Sequence, residues 1–425
     1  MTTQPAASKS LWRHRDFMLL WGGETVSHVG TQVSMLALPL VAITTLAVTP
    51  FQMGLLTTAE TLAFLLVGLP AGAWLDRVRR RPVMLSADVV RGVLLASIPL
   101  AWWAGVLTFA QLLVVGLLVG LATVFFDVAY QSYLPSLVGR TLLVEGNGKL
   151  ESTRSMAHIG GPALGGGLVQ LLGATTAVLV DSLSYFLSAL ALRAIKTAEP
   201  EPEPSEHPKM RHQIAEGLRF VLRHRLLRPI TACTGTSNFF SGIQAAVVVL
   251  FMARVLGLSA GAIGLLFTAG GLGGVLGAVS TSWWTRRVGQ ARTIWLVGLL
   301  TWPVGLLQPL AEPGWRVSLI FISGVFVGYG VVVYNVAQVS FRQAITPNRL
   351  LGRMNASVRF LVWGTLPLGG FVGGVLGEWI GIRETLWVSV IGEVLAVLFV
   401  VLSPLRGMRD LPQSHDETAE SAPVG

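Results

Sequence analysis

Apolar runs of about twenty residues follow one another along almost all of the 425-residue chain, separated by short polar breaks. About 20 apolar residues cross the ~30 Å hydrocarbon layer as an α-helix, and only a helix or a closed barrel satisfies its backbone there. Measured on that ruler, twelve spans lie near 17–45, 52–75, 83–105, 109–133, 150–172, 174–195, 229–254, 260–284, 292–311, 316–341, 356–379 and 384–404. The runs are too long and unbroken for the alternating strands of an outer-membrane barrel. Charged residues make up 12% of the chain, about half the usual share of a soluble domain. The expectation is an all-α polytopic membrane protein with twelve transmembrane helices. Its only cysteine, Cys233, sits in an apolar run, so neither a disulfide framework nor a thiolate metal cluster is available. No cleavable signal precedes the first span, since "LWRHRDF" runs directly into it.

The net charge of +9 is informative through its placement. Arg77, Arg79, Arg80 and Arg81 follow the second span, Arg286, Arg287 and Arg292 the eighth, and Arg342, Arg349 and Arg353 the tenth. The odd-numbered connections hold only Arg254, Arg316 and Arg383. By the positive-inside rule both termini are cytoplasmic. The basic balance is thereby accounted for, and no nucleic-acid partner is implied. The polar middle opens with the Pro/Glu-rich "AEPEPEPSEHPK" and continues as "MRHQIAEGLRFVLRHRLLR", a basic amphipathic helix suited to the cytoplasmic membrane surface. The expected organisation is a six-helix bundle over 1–195, a linker with this helix over 196–228, a second six-helix bundle over 229–410, and a disordered cytoplasmic tail over 411–425.

The halves resemble each other. At an offset of 205 residues Arg154 faces Arg359 and Pro162 faces Pro367, while "TPFQMGLL" matches "SAGAIGLL" at 210. Two related bundles about an axis along the membrane normal are the plan of a 6+6 transporter. After the second span, "GAWLDRVRRR" fits Gly-x-x-x-Asp-Arg-x-x-Arg-Arg at Gly72, Asp76, Arg77, Arg80 and Arg81. With the 6+6 layout and the basic middle loop, the chain resembles the major facilitator superfamily over essentially its whole length. The resemblance implies that this stretch is a conformational switch, Asp76 accepting hydrogen bonds from a helix N-terminus of the other half. It also implies that Asp127, toward the cytoplasmic end of helix 4, pairs with Arg80. Arg79 stands where the commoner form has glycine.

Span five carries Gly148, Ala157, Gly161, Pro162, Gly165 and Gly166. The superfamily's antiporter signature is Gly-x8-Gly-x3-Gly-Pro-x2-Gly-Gly, from which only Ala157 departs. Gly161 and Gly165 make a small-xxx-small face for close packing, and Pro162 frees a carbonyl and bends the helix. The expected contact is with helix 8, whose Gly270, Gly273, Gly274 and Gly277 supply a complementary face. This signature favours export over uptake. "GLSAG" at 257–261 matches the hydrolase pattern Gly-x-Ser-x-Gly only in letters, because it lies in a short external connection. No enzymatic activity and no cofactor or metal are expected.

Ionisable residues within spans are functional candidates. Glu24 and His28, four apart on helix 1, share a face; Glu60 and Asp181 lie in helices 2 and 6, and Glu393 in helix 12. A carboxylate buried away from cations favours its protonated form and can cycle a proton, so Glu24, His28, Glu60 and Asp181 are proton-coupling candidates. Asp88 and Arg91 are expected to neutralise one another. Arg154 and Arg359, at equivalent positions, are expected to brace the interface. The resemblance implies that helices 1, 4, 7 and 10 line the cavity, which brings in Gln32, Asn238, Gln244, Tyr334 and Asn335.

Within the superfamily the chain is similar to the multidrug and macrolide-efflux proteins and the enterobactin exporters, in "SYLPSLV…GPALGGGL" and "LLGRMNASVRF…PLGG". The resemblance implies a monomeric, proton-coupled antiporter of the bacterial inner membrane that exports an amphipathic small molecule by alternating access. A siderophore cargo is one alternative; a non-transporting membrane sensor is another.

Overall fold

The computed structural model describes residues 11–75, 77–139, 142–197, 199, 210–347 and 350–410. Asp76, most of the Pro/Glu-rich linker and the 411–425 tail lie outside the described residues. The described chain is helical throughout: α1 (Arg15–Thr44), α2 (Pro50–Leu75), α3 (Arg80–Trp103), α4 (Phe109–Val138), α5 (Leu143–Leu172), α6 (Ala174–Ala194), α7 (Met210–Arg223) and α8 (Leu227–Leu250) are followed by α9 (Ala260–Val288), α10 (Gln290–Thr301), α11 (Ser318–Ala344), α12 (Leu351–Trp363), α13 (Thr365–Trp379), α14 (Ile382–Ala396) and α15 (Leu398–Val401). Ten helical stretches among the described residues are long and apolar enough to cross a membrane. Four of these combine elements: α8 with a π-helical turn to Val255, a 3-10 turn from Trp315 with α11, α12 with α13, and α14 with α15. Two expected spans fall short of that criterion for visible reasons. The first turns of α5 carry Glu145, Lys149, Glu151 and Arg154 and the rest of the helix is diluted by His158, Pro162 and five glycines, and α10 gives way after 12 residues to a 3-10 segment, Trp302–Leu307, containing Pro303.

Tight connections keep neighbours antiparallel. Gly173 alone joins α5 to α6 and Gly289 alone joins α9 to α10, at φ of 81° and 97°. A side chain at either position would strain the turn. Ser259 caps α9 by accepting the Ala262 amide at 3.3 Å, and Thr108 caps α4 in the same way through Gln111.

One bundle is built by packing α1 on α5 and α6, α3 on α4 and α6, and α2 on α4. The other packs α8 on α13 and α14, and α9 and α10 on α11. The bundles meet chiefly where α5 packs on α9 and α2 on α13, with smaller contacts of α2 on α8 and α12. Toward the end holding the α1–α2, α5–α6 and α8–α9 connections, one apolar core runs through both bundles, from Val33, Leu40 and Met53 to Val247, Phe251 and Ile263. At the opposite, arginine-rich end the cores are separate. Phe17, Met84, Tyr133 and Leu150 belong to one bundle, whereas Ile230, Phe341, Met354 and Val358 belong to the other. The molecule is thus fused at one end and divided at its basic end.

The amphipathic helix α7 differs from its expected place on the membrane surface. Its apolar face docks on α12: Val221 is fully buried, in a cluster with Leu227, Met354, Val358 and Val362. Glu216 pairs with Arg353, and Gly217 packs so closely that a Cβ there would lie 2.6 Å from the Arg353 carbonyl. Burial of that face against protein replaces burial in lipid, so the segment 210–223 is part of the second bundle.

The offset of 210 residues recurs in the helix caps. His14 accepts the Phe17 amide at 3.1 Å through Nδ1 at the start of α1. His224, 210 residues later, accepts the Leu226 and Leu227 amides at 3.2 and 3.3 Å at the start of α8. Each heads the first long helix of its bundle within the same Arg-His-Arg triplet. Burial holds the His224 imidazole below the ordinary histidine pKa. The folded value lies below the unfolded one, so the cap is complete above about pH 6.5 and is lost as pH falls through the lower folded value. We expect His224→Ala to cost about 1 kcal/mol, as loss of a cap does. His224→Asn should keep the cap but remove its sensitivity to acid. Thermal melts of the detergent-solubilised protein between pH 7 and pH 5 read both effects.

Candidate functional site: a vestibule between the two bundles

The closed end depends on backbone touching backbone. On α5, a Cβ at Gly166 would lie 2.5 Å from the Ala260 carbonyl and 2.9 Å from Gly264 Cα, and a Cβ at Gly264 would collide with the Pro162 carbonyl. Lower on the same seam, a Cβ at Gly271 would lie 2.8 Å from the His158 carbonyl. Pro162 has no N–H to donate to that carbonyl four residues back, so α9 packs over an oxygen that α5 leaves open. The Gly261 amide donates to Gln170 Oε1 at 3.0 Å. The second seam is its counterpart. A Cβ at Gly374 of α13 would lie 2.8 Å from Gly54 Cα of α2, Thr58 Oγ1 donates to the Pro367 carbonyl at 3.1 Å, and the Phe51 amide donates to Glu378 at 3.2 Å.

This geometry reassigns the glycines of the expected α5 signature. Gly166, with the Pro162 carbonyl, meets α9. Gly161 and Gly165 instead seat α1, where Cβ atoms would fall 2.6 Å from Gln32 Cβ and 3.1 Å from Val33 Cα. A Cβ at Gly148 would meet nothing within 4 Å. The expected partner glycines of α9 also turn elsewhere: Gly273 and Gly277 receive the Val325 and Tyr329 carbonyls of α11, the Gly270 carbonyl packs on Gly328 of α11, and Gly274 faces Val332. The helix carrying Pro162 stays a single α-helix, whereas its counterpart breaks between α12 and α13 at Gly364, just before Pro367.

The arginine-rich end opens between the bundles into two adjoining cavities. One, about 280 Å³, is lined by Phe64 and Gly68 of α2, Asp127 and Gln131 of α4, and Asn355, Arg359 and Trp363 of α12. The other, about 530 Å³, lies against Thr234 and Asn238 of α8, Asn335, Gln338 and Arg342 of α11, and the same Asn355, Arg359 and Trp363. Of the expected cavity residues, Asn238 and Asn335 line this space. The other three pack elsewhere, because each is held by a polar neighbour. Gln32 bonds His158 at 3.1 Å, Gln244 donates to Gln308 at 2.6 Å, and Tyr334 OH meets Thr234 at 2.8 Å. Sequence reasoning missed Gln338, Arg342, Asn355 and Trp363. The arginines were read as topology or bracing, and amides on apolar helices carry no signal of which face they occupy. Arg359 is a cavity wall, with its guanidinium 5.5 Å from the Trp363 ring. Arg154 lies beside Glu151 at 4.0 Å on an exposed stretch of α5.

The expected pair of Arg80 with Asp127 is absent. Arg80 reaches Glu199 at 3.7 Å, and Glu199 also accepts the Arg80 and Arg81 amides at 2.7 and 3.0 Å, capping α3. Asp127 instead faces the cavity shared with Arg359. Arg81 donates to the Leu192 and Arg193 carbonyls, each at 2.9 Å, at the C-terminus of α6. Arg77 is exposed. Gly72 lies in α2, and Asp76 lies outside the described residues. Among the remaining titratable groups, Glu24 is buried with Oε2 3.5 Å from His28 Nε2 and Oε1 without a partner. Asp181 is buried and accepts from Ser184 at 3.1 Å. Glu60 sits where α2 packs on Gly116 and Gly120 of α4. Asp88 and Arg91 form the expected buried pair, the guanidinium lying 4.3 Å and 4.2 Å from the Phe126 and Tyr185 rings.

Two bundles of related sequence, joined by glycine seams at one end and parted around a polar vestibule at the other, define a membrane transporter of the major facilitator type. Residues 6–423 match the family of transmembrane secretion effectors, and the chain belongs to that family. It is 28% identical over 377 residues to the multidrug efflux pump Tap of Mycobacterium tuberculosis, covering 86% of this chain and 88% of that one. It is 26% identical over 415 residues to the enterobactin exporter EntS of Citrobacter koseri, covering 95% of both. Among solved structures, an inward-facing bacterial homologue of the iron transporter ferroportin matches with a TM-score of 0.73 at 17% identity, over 93% of this chain and 99% of that one. The nucleoside transporter NupG matches with a TM-score of 0.74 at 11% identity, over 91% of this chain and 98% of that one. The chain is therefore a multi-pass transporter of the bacterial inner membrane and not an enzyme. The sensor alternative finds no support.

The seams lead to a direct expectation. Gly264→Val places a side chain against the Pro162 carbonyl and Gly166, so the fused end should no longer close. Transport should fall at least tenfold at unchanged expression. Cysteine pairs across α5 and α9 near that end should show longer spin-label distances than in the parent protein.

Proposed function

We propose that this protein is a proton-coupled antiporter that exports an amphipathic small molecule by alternating access. In this reading the arginine-rich end is cytoplasmic, as the positive-inside rule requires, and α5 and α10 count as spans, giving twelve with both termini inside. The observation that carries the proposal is the asymmetry of the contact between bundles. A shared core and two glycine seams close one end, while separate cores flank a vestibule at the arginine-rich end. That is the geometry of a pump waiting to load from inside.

Efflux is supported by similarity to Tap and EntS along most of each chain. A mixed lining of aromatic rings and amides suits an amphipathic molecule larger than a sugar. A siderophore cargo is the second reading, favoured by the 95% coverage of a protein named an enterobactin exporter. Glu24 is the proton site in this scheme: a buried carboxylate whose one close partner is a histidine, with an oxygen free to take a proton. Asp181 and Glu60 are the reserve candidates.

Accumulation in energised inverted vesicles tests this. An efflux substrate of the Tap type should accumulate, and a protonophore should abolish the accumulation. Glu24→Gln should remove its pH dependence while leaving binding measurable. Accumulation that survives the protonophore overturns proton antiport, and inward transport in whole cells overturns export.

A further inference from the structure

The second bundle's side of the vestibule is cationic without a counter-ion. Arg342 is 8% exposed, and its Nε is buried without a hydrogen-bond partner. No carboxylate of the described residues lies within 4 Å of the Arg342 or Arg359 guanidinium, although such pairs form elsewhere, as for Arg91 and Arg353. Gln338, 3% exposed, also holds a buried oxygen without a donor. The larger cavity, which both arginines line with Asn238, Asn335 and Asn355, contains no acidic residue among its described lining. Asp127 is the only acid among the described lining of the smaller cavity and belongs to the opposite bundle.

Ionised groups taken out of water are costly unless they are paired, and within a membrane such residues face a substrate path. None of the described carboxylates pairs with either guanidinium; Arg359 rests on the Trp363 ring and shares the smaller cavity with Asp127, and Arg342 Nε has no hydrogen-bond partner. From these observations we propose that Arg342 and Arg359 form the recognition site for an anionic oxygen group of the exported molecule, a carboxylate or phenolate. The neighbouring amides donate to its remaining oxygens, and the Trp363 ring covers the apolar body. The guanidinium fork is suited to paired anionic oxygens. Gln338 Oε1 would take a donor from the same molecule, such as a hydroxyl. The preferred cargo is then an amphipathic anion rather than the lipophilic cation or neutral molecule that an apolar cavity would accept. This deepens the export proposal and rests on it for direction alone.

A matched set of pyrene probes tests the idea on the full-length protein in nanodiscs: 1-pyrenebutyrate, its methyl ester, and the corresponding butyltrimethylammonium cation. Binding is read by fluorescence in the absence of any gradient. The carboxylate should bind at least tenfold more tightly than the ester or the cation. Arg342→Gln and Arg359→Gln should each weaken the carboxylate about tenfold or more and leave the ester unchanged, and Arg359→Lys should retain part of the preference. Because Arg342 has no partner to lose, Arg342→Gln should leave the melting temperature unchanged or raise it. Equal binding of the three probes, a charge preference that survives both glutamine variants, or a large drop in the melting temperature of Arg342→Gln overturns the proposal. Selective binding without vesicle accumulation would leave the anion site standing and overturn export instead, so the two failures are distinguishable.

Discussion

Everything in this structure depends on two places where helices approach until backbone meets backbone. In lipid the hydrophobic effect gives no net drive for one helix to pack on another, so association relies on dispersion and close polar contacts. Glycine makes both available. Gly166 against Gly264 and Gly54 against Gly374 bring Cα atoms into contact across the bundles, near enough for Cα–H···O interactions. The carbonyl that Pro162 leaves open lies beneath Gly271, so a proline that weakens α5 internally also supplies the surface on which α9 rests.

Contacts of this kind suit a moving interface. They involve few side chains, bury no charge and release without leaving a large apolar area exposed to water. The basic end is organised differently, since each bundle there keeps its own core and its own caps. Glu199 ties the start of the linker to α3, and α7 is docked on α12. Each half is therefore braced as a unit where the halves separate, which is what a rocking exchange between two states requires.

Much of this was legible in the sequence, and the boundary of legibility has a physical origin. Long apolar runs and the repeat of Pro162 in Pro367 led to the all-helical membrane fold and the plan of two related bundles. The glycine signature on α5 pointed to close packing but not to its target. Adjacent residues on a helix point about 100° apart, so Gly165 and Gly166 face different neighbours, α1 and α9. The same ambiguity put Gln32, Gln244 and Tyr334 in the cavity when each is bound inside its own bundle. Arg80 was matched with Asp127 because both charges lie toward one end of the bundle. The tertiary fold instead brings Glu199, 119 residues away in sequence, to the α3 N-terminus.

The sequence alone determined the solvent this protein lives in, the clustering of its arginines in alternate connections, and its construction from two related halves. These are properties of residue type along the chain: hydropathy, charge placement and internal repetition survive without knowing any contact. Only the tertiary structure decided which glycines form the seams, which end is closed, and which polar groups are left without partners. Those depend on helix rotation and on neighbours far apart in sequence. Arg342 and Arg359 show the difference, since a string of letters records their charge, and only the packed helices show that no described carboxylate lies within ion-pair distance of either.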